Sequence, residues 1–510
     1  MRLAGAAAYM YVDSTDETMK DILRYGIWLI VATLWCAVCF LVPDFVDSPM
    51  EDWPSRMIIL GYILALSGGT LALLYLLSIN RYVCCVLLPL YGALGAAVSY
   101  YRVTYHATVT PMVIEATLHT NAGTVSAMVS WQLFAWIALN IVLAGGLAWY
   151  RYRHITVQKP WVQLLMAVIL LIGYHECDDR LKQSLNQRYP YNITHSMAEY
   201  LRQNRASSVE RQLLVTTAEQ VPDSIDIVVV LGEALRADHL SMNGYERSTT
   251  PRLQQRQGLW SLPQVYSPHT YTSISIPYML TPADSLHPEY AQTHHSFIEQ
   301  LKAHAFRTAW LSNQDMGVTY APFIHEADTM IFPNAQKSVF VFDPWYDEQL
   351  LPHLDSLMAR GAARNLYVLH TIGSHWYYSN HVPPAWQVFQ PLTTNRIVTH
   401  NTPEEVTNAY DNTALYMDYV MDTLIERFTD RCAVVIYVAD HGESLGEEGR
   451  WLHAGDTPPM HRPAAFVWCS QKYQATFPEK IQALEAQHML PCGTDFLFPA
   501  VLQAAGIATK

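Results

Sequence analysis

In the second half of the chain, acidic residues and histidines recur just after hydrophobic runs. Glu233 follows Leu231 and Gly232, at the end of a run that begins at residue 225. His375 comes shortly after the run 365–370, behind Thr371, Ile372, Gly373 and Ser374. Asp440 and His441 follow the run 433–438, and His453 lies a short loop later. A single carboxylate, or a single Asp–His pair, at such a place usually caps a helix or accepts a hydrogen bond. Recurrence after several runs points instead to one shared site. Two carboxylates with imidazole are a hard-to-borderline donor set that suits zinc or manganese, with a position left open for a reacting oxygen. Residues 266–277 crowd hydroxyls together, among them Ser267, Thr270, Thr272, Ser273 and Ser275. A free hydroxyl is a poor nucleophile, and metal coordination lowers its pKa enough for attack on phosphorus. Taken alone, the segment reads as a hydroxyl-rich loop that opens a helix.

The runs that would position these groups are short and β-branched, at 225–231, 307–311, 365–370, 433–438 and 465–468, with helical stretches between them. This alternation predicts an α/β domain with a largely parallel central sheet covered on both faces. Ligands of such sheets gather beyond the carboxyl ends of the strands, where the groups above fall.

The first third of the chain is different. Of 510 residues, 51% are hydrophobic and 15% charged, and the long uncharged runs lie almost entirely before residue 175. Five of them, at 26–43, 57–79, 82–100, 129–149 and 161–175, approach the length of a membrane crossing; Trp161 and Tyr174 could anchor the short last one. No cleavable signal pattern precedes them. Lys20, Arg24, Arg81, Arg151, Arg153 and Lys159 fall on one side, and Asp44, Asp47, Glu51 and Asp52 on the other. The positive-inside rule then places the amino terminus in the cytoplasm and everything after the fifth crossing outside, in a bacterium the periplasm. The expected organisation is a transmembrane domain over 1–176, a connector over 177–222 and a catalytic domain over 223–510. Within the connector, 196–217 has the spacing of a helix lying on the membrane surface or packed on the domain. Cys36 and Cys39 read as small apolar residues of a helix, whereas Cys469 and Cys492 could pair in an extracytoplasmic domain. A net charge of -13 with no basic block argues against a nucleic-acid partner.

Residues 232–251 resemble the GExxRxxxxSxxGYxRxTTP signature of bacterial phosphoethanolamine transferases of the alkaline phosphatase/sulfatase superfamily. Residues 267–272 are similar to the segment carrying that family's nucleophilic threonine, and 440–447 with Leu452 and His453 to its third block. Trp310 to Gln314 and Gly373 to His375 match two more segments, and the likeness extends over essentially the whole chain. The resemblance implies that Thr272 is the nucleophile and that Glu233, Thr272, Asp440 and His441 hold a catalytic Zn2+. It implies that His375 and His453 bind the substrate phosphate, beside the first metal or at a second, and exchange protons. Asn313 would contact substrate, and Glu115, Thr120 and Asn121, in the outer loop before the fourth helix, would recognise the lipid donor. The implied reaction takes phosphoethanolamine from phosphatidylethanolamine onto Thr272 and then onto lipid A or a core sugar of lipopolysaccharide. A membrane-embedded monomer is expected.

Three departures leave the acceptor open. Pro268 and Tyr278 replace the cysteines that flank the nucleophile in lipid A-modifying members. Met316 lies near where those members carry a lysine, and Thr124 near an acidic position. The nucleophile segment is closer to the branch acting on core heptose. A sulfatase proper would need a CxPxR-like segment, which is missing. A lipoteichoic-acid-type glycerophosphate transferase shares the layout but lacks the segment represented by Arg247 to Pro251, and a non-catalytic sensor would lack a metal ligand.

Overall fold

The computed structural model describes the chain except for residues 1, 47, 49–51, 106, 107, 112, 115–117, 119–129, 158, 177, 178, 338–343, 396, 397, 454 and 510; for 2–18, 105, 179, 180, 183, 206 and 207 it describes backbone alone. The chain forms two compact units, Met1–Tyr200 with Gln336–Asp343, and Leu201–Ala335 with Pro344–Lys510.

The first unit is helical, as lipid demands of an apolar chain whose backbone groups must find partners within the segment. Helices α1 (Arg2–Cys36), α2 (Trp53–Ile79), α3 (Arg81–Tyr105) and α4 (Trp131–His154) are followed by the shorter α5 (Pro160–His175). Among the described residues, four helices are long and apolar enough to cross a membrane. The fifth expected crossing is the 16-residue α5. At 1.5 Å per residue it reaches about 24 Å, short of a hydrocarbon core of about 30 Å. The first apolar helix starts well before residue 26 and ends through a π-turn, Ala37–Leu41, and a 3-10 turn, Val42–Phe45, that contains Pro43. Asp52 caps α2 by accepting from the Ser55 N–H, and Ser130 caps α4 at the Leu133 N–H.

Some polar side chains inside this unit find partners across helices. The Trp35 indole donates to Asn140 at 3.0 Å, between α1 and α4. Arg151 is no loop charge: it is buried in the last turn of α4, donating to the Ser78 carbonyl at 2.6 Å and the Ile155 carbonyl at 2.6 Å. A guanidinium there serves carbonyls that the ends of α2 and α4 leave open.

The connector holds helix Asp179–Asn186 and α6 (Tyr191–Ser207), which begins and ends earlier than the spacing over 196–217 suggests. After it the chain extends, and Thr216–Ala218 pairs antiparallel with Ile507–Thr509.

The second unit is built on strands β1 (Ile225–Gly232), β2 (Leu259–Ser261), β3 (Arg307–Ser312), β4 (Thr329–Ile331), β5 (Arg364–His370), β6 (Ala433–Ala439) and β7 (Ala465–Cys469). Their order is β2-β7-β6-β1-β5-β3-β4. The stretch from β6 to β4 is parallel, whereas β7 runs antiparallel to both β6 and β2. The sheet is therefore mixed. A parallel return requires the chain to cross a face of the sheet. Residues 440–464 instead stay at the end where β6 leaves, and the chain re-enters from that end.

All eight residues of β1 are buried, as a strand covered on both faces requires. One face is covered by α8 (Pro403–Glu426), opened by a capping box of Thr402 and Glu405. Its Val406, Ala409, Tyr410, Ala414, Met421 and Leu424 recur at helical spacing and pack on Val228, Val230, Tyr437 and Phe466. Each such aliphatic side chain contributes about 1.5–3 kcal/mol on burial. On the other face, helices Pro478–Gln487 and Leu497–Ala505 oppose Val434, Ile436 and Val467. Cys432, Cys469 and Cys492 are free thiols, so Cys469 and Cys492 do not pair.

Candidate active site

Strand register builds the centre. Gly232 and Ala439 are partners at the ends of β1 and β6, so Glu233 and Asp440 leave the sheet side by side. Both are buried, at 1% and 0% exposure. Burial, and then the Asp440 charge beside it, push the Glu233 carboxyl well above the usual range. Thr272, the first residue of α7 (Thr272–Leu280), donates its hydroxyl to Glu233 Oε2 at 2.9 Å. The Gln314 amide, just past β3, donates to the same oxygen at 2.9 Å.

His441 donates from Nδ1 to the Gly442 carbonyl at 2.8 Å, which leaves Nε2 as a lone pair. Burial lowers its pKa and keeps the ring neutral. Nε2 lies 3.4 Å from Asp440 Oδ2 and 3.6 Å from Glu233 Oε1. These three atoms are buried and have no hydrogen-bond partner. Left so, each would cost about 1–3 kcal/mol. Ligands about 2.0–2.1 Å from a tetrahedral zinc sit roughly 3.3–3.4 Å apart. The spacing and the donor types therefore fit a divalent metal.

His453 stands next to this group: ligand atoms of Glu233, His441 and His453 lie within 4.8 Å of one another. Its Nδ1 donates to Glu443 Oε1 at 3.0 Å, and Glu443 Oε2 accepts from the Tyr378 hydroxyl at 3.1 Å. Burial opposes charge on His453, yet Glu443 and the neighbouring carboxylates raise its pKa to about 9. The His375 ring is 6.2 Å from that of His453. Burial, then the positive neighbour His453, depress its pKa to about 3, and its Nδ1 donates to the Trp376 carbonyl at 2.6 Å. The two histidines are thus pushed in opposite directions by their surroundings.

Asn313 points elsewhere. Its amide donates to Asp347 at 2.9 Å, and its oxygen accepts from Asn334 at 2.9 Å. Asp347 also accepts the N–H groups of Ile372 and Gly373, at 2.9 and 3.0 Å, and so fixes the loop that carries His375. Glu115, Thr120 and Asn121 lie outside the described residues. Gln314, Glu443 and Asp347 were not singled out from the sequence. The first two sit inside recognisable motifs; Asp347 has no local signal.

The residues of the long motif after β1 mostly brace a loop. Asp411 of α8, fully buried, accepts from His239 at 2.7 Å, Tyr245 at 2.9 Å and Arg247 at 2.8 Å. Thr249 donates to the His239 carbonyl at 2.7 Å. A side chain at Gly442 would meet the Pro459 carbonyl at 2.1 Å, and one at Gly373 (φ +50°) would meet the Glu233 backbone at 2.9 Å. Both glycines allow loops to close around the centre.

A sulfatase family model matches residues 225–507, and a phosphoethanolamine transferase EptA/EptB model matches 68–175. The phosphoethanolamine transferase EptA of Salmonella typhimurium is 26% identical, over 96% of this chain and 95% of its own. The membrane protein lipooligosaccharide phosphoethanolamine transferase A (EptA) from Neisseria meningitidis aligns with TM-score 0.51 and 22% identity, over 94% of this chain and 96% of that one. The periplasmic domain of Escherichia coli EptC, solved in complex with Zn, aligns with TM-score 0.54 and 23% identity, over 59% of this chain and 87% of that one. With more than half of its length matched by the sulfatase model, the chain belongs to the sulfatase family, and its residues 68–175 match the EptA/EptB model.

Proposed function

We propose that the chain transfers phosphoethanolamine from phosphatidylethanolamine to lipid A or a core sugar of lipopolysaccharide, through a phosphoethanolamine–Thr272 intermediate. The observation that carries this is the Thr272 hydroxyl, 2.9 Å from Glu233 and beside three buried donor atoms that lack partners. The named activity of the EptA relative supports it. Glu233, Asp440, His441 and Thr272 would hold the metal, zinc as in the EptC neighbour or manganese. Bound there, the metal would lower the pKa of the Thr272 hydroxyl and offset charge on the phosphoryl oxygens.

The side chains supply the rest. The hydrogen bond to Glu233 aims the Thr272 proton away from the face that attacks phosphorus. The first turn of α7 turns free N–H groups toward phosphoryl oxygens. As the new Thr272 O–P bond forms, the Thr272 proton passes along its hydrogen bond to Glu233 Oε2 and the P–O bond to diacylglycerol breaks. His453, kept charged by Glu443, protonates the departing glycerol oxygen. An acceptor oxygen then attacks phosphorus, a hydroxyl passing its proton to the now neutral His453, and Thr272 leaves, taking its proton back from Glu233. His375, neutral, orients the phosphate. Asn313 acts by positioning the Asp347 loop.

Phosphatidylethanolamine is a two-tailed lipid, and covalent attachment of the catalytic unit to apolar helices confines enzyme and donor to one membrane. In this reading 1–176 is embedded in the bacterial inner membrane with α5 as a fifth crossing, the amino terminus is cytoplasmic, and 223–510 is periplasmic beyond the connector 177–222. Glu115, Thr120 and Asn121 meet the donor, and the enzyme works as a monomer. The test is mass spectrometry of envelope glycolipid from cells expressing wild type or Thr272→Ala. Added phosphoethanolamine in the wild type alone is expected; its persistence in the variant would sink the nucleophile.

A further inference from the structure

Beside the nucleophile segment lies a surface that the chemistry above leaves unused. Tyr266, just before Ser267, is 53% exposed. Its ring stacks on His461 with centroids 5.1 Å apart and planes 11° from parallel. His461 is itself held at both edges, Nδ1 at the Ser267 carbonyl (2.7 Å) and Nε2 at Asp456 Oδ1 (3.0 Å). The Tyr266 ring is thus backed on one face and open on the other. Depressions of about 340 Å³ and 460 Å³ flank it, and Tyr266 and Arg462 line both. Each falls within the range of about 300–1,000 Å³ that small-ligand sites occupy. The Arg462 guanidinium is exposed and, among the described residues, has no hydrogen bond or ion pair. The Asp456 carboxylate is 97% exposed.

This surface is wired to the reaction centre. The Ser267 hydroxyl lies 2.9 Å from the Asp440 carbonyl, and the Ser267 N–H donates to the His461 carbonyl at 3.0 Å. Tyr266 is therefore one residue from a group that touches the proposed metal ligands. Thr272 lies six positions further along the chain, a span of at most about 21 Å.

From this geometry we infer that Tyr266, Arg462 and Asp456 form an acceptor subsite that seats a pyranose ring of the glycolipid on the open face of Tyr266. A fixed aromatic face packs against the C–H face of a pyranose. A carboxylate accepts from ring hydroxyls, and an unpaired guanidinium takes a phosphate substituent in bidentate fashion. A lipid donor headgroup has no ring to stack. The inference rests on the transfer reaction proposed above and assigns its second substrate a place.

The test measures, for the full chain in detergent, how phosphoethanolamine from phosphatidylethanolamine divides between a bisphosphorylated lipid A disaccharide and water. For Tyr266→Ala and Arg462→Ala, the ratio of transfer to hydrolysis falls at least ten-fold through a raised KM for the disaccharide lipid. Tyr266→Phe, which keeps the ring, retains the wild-type ratio. A merely structural defect would lower both products together, and such a parallel fall overturns the subsite, as does an unchanged ratio. Failure of the wild type to release diacylglycerol would instead overturn the transfer reading, and the subsite with it.

Discussion

Removing the Asp411 carboxylate should destabilise the catalytic unit out of proportion to one surface-sized change. Asp411 has 0% side-chain exposure and three donors, His239, Tyr245 and Arg247, at 2.7–2.9 Å. Taking one partner from a buried ionic group typically costs about 3–5 kcal/mol, because the partners left behind lose their counter-charge. Arg247 is 36% exposed and recovers some hydration, which places Asp411→Asn below Asp411→Ala. For a unit of this size, about 3–5 kcal/mol corresponds to a fall in Tm of about 5–15 °C. The assay is thermal unfolding of the full chain in detergent, read by protease access to the catalytic unit. Arg247→Met alone should cost about 1–2 kcal/mol, and less once Asp411 is already Asn, since contacting residues couple. The loop braced by Asp411 begins at Glu233, so kcat should fall as well. An Asp411→Ala protein melting within about 2 °C of wild type would refute the claim that the motif serves as a brace.

Three further outcomes follow from the centre and its surroundings. Purified protein should carry zinc or manganese, lose transfer on chelation, and keep less than about a tenth of the metal in Glu233→Ala or Asp440→Ala, as measured by elemental analysis. Gln314→Ala removes a 2.9 Å bond to the oxygen that also orients Thr272, and should lower kcat about ten-fold with KM for the lipid donor little changed; an unaltered kcat counts against Gln314 as a positioning residue. The hydrogen bond and charge of Glu326 raise the pKa of His295. That contribution to stability is complete below the unfolded value of about 6.5 and is lost as pH rises through the folded value, so His295→Gln should flatten the melting curve against pH on the alkaline side of 6.5.

Much of the architecture is legible in local pattern. The apolar runs that become α1 to α4 and the β-branched runs that become β1, β3, β5, β6 and β7 announce themselves through composition and length. The fifth apolar run is helical too, over Pro160–His175, and is as short as the sequence reads. The direction of β7 was not legible, since periodicity states that a strand exists and says nothing about the end from which it enters the sheet.

The chemistry divides in the same way. Sequence alone determined the donor types, their places after strands, and the motifs that single out Thr272, because covalent neighbours and short periodicities are written locally. Tertiary structure alone brought Glu233 beside Asp440, through the Gly232–Ala439 register. It also turned Gln314, and not Asn313, toward the Glu233 oxygen that accepts from Thr272. It pushed the pKa values of His453 and His375 in opposite directions, by surrounding one with carboxylates and burying the other beside further imidazoles. Hydrogen bonds and electrostatic fields act between groups close in space, and which groups those are depends on strand pairing and burial between segments far apart in the chain.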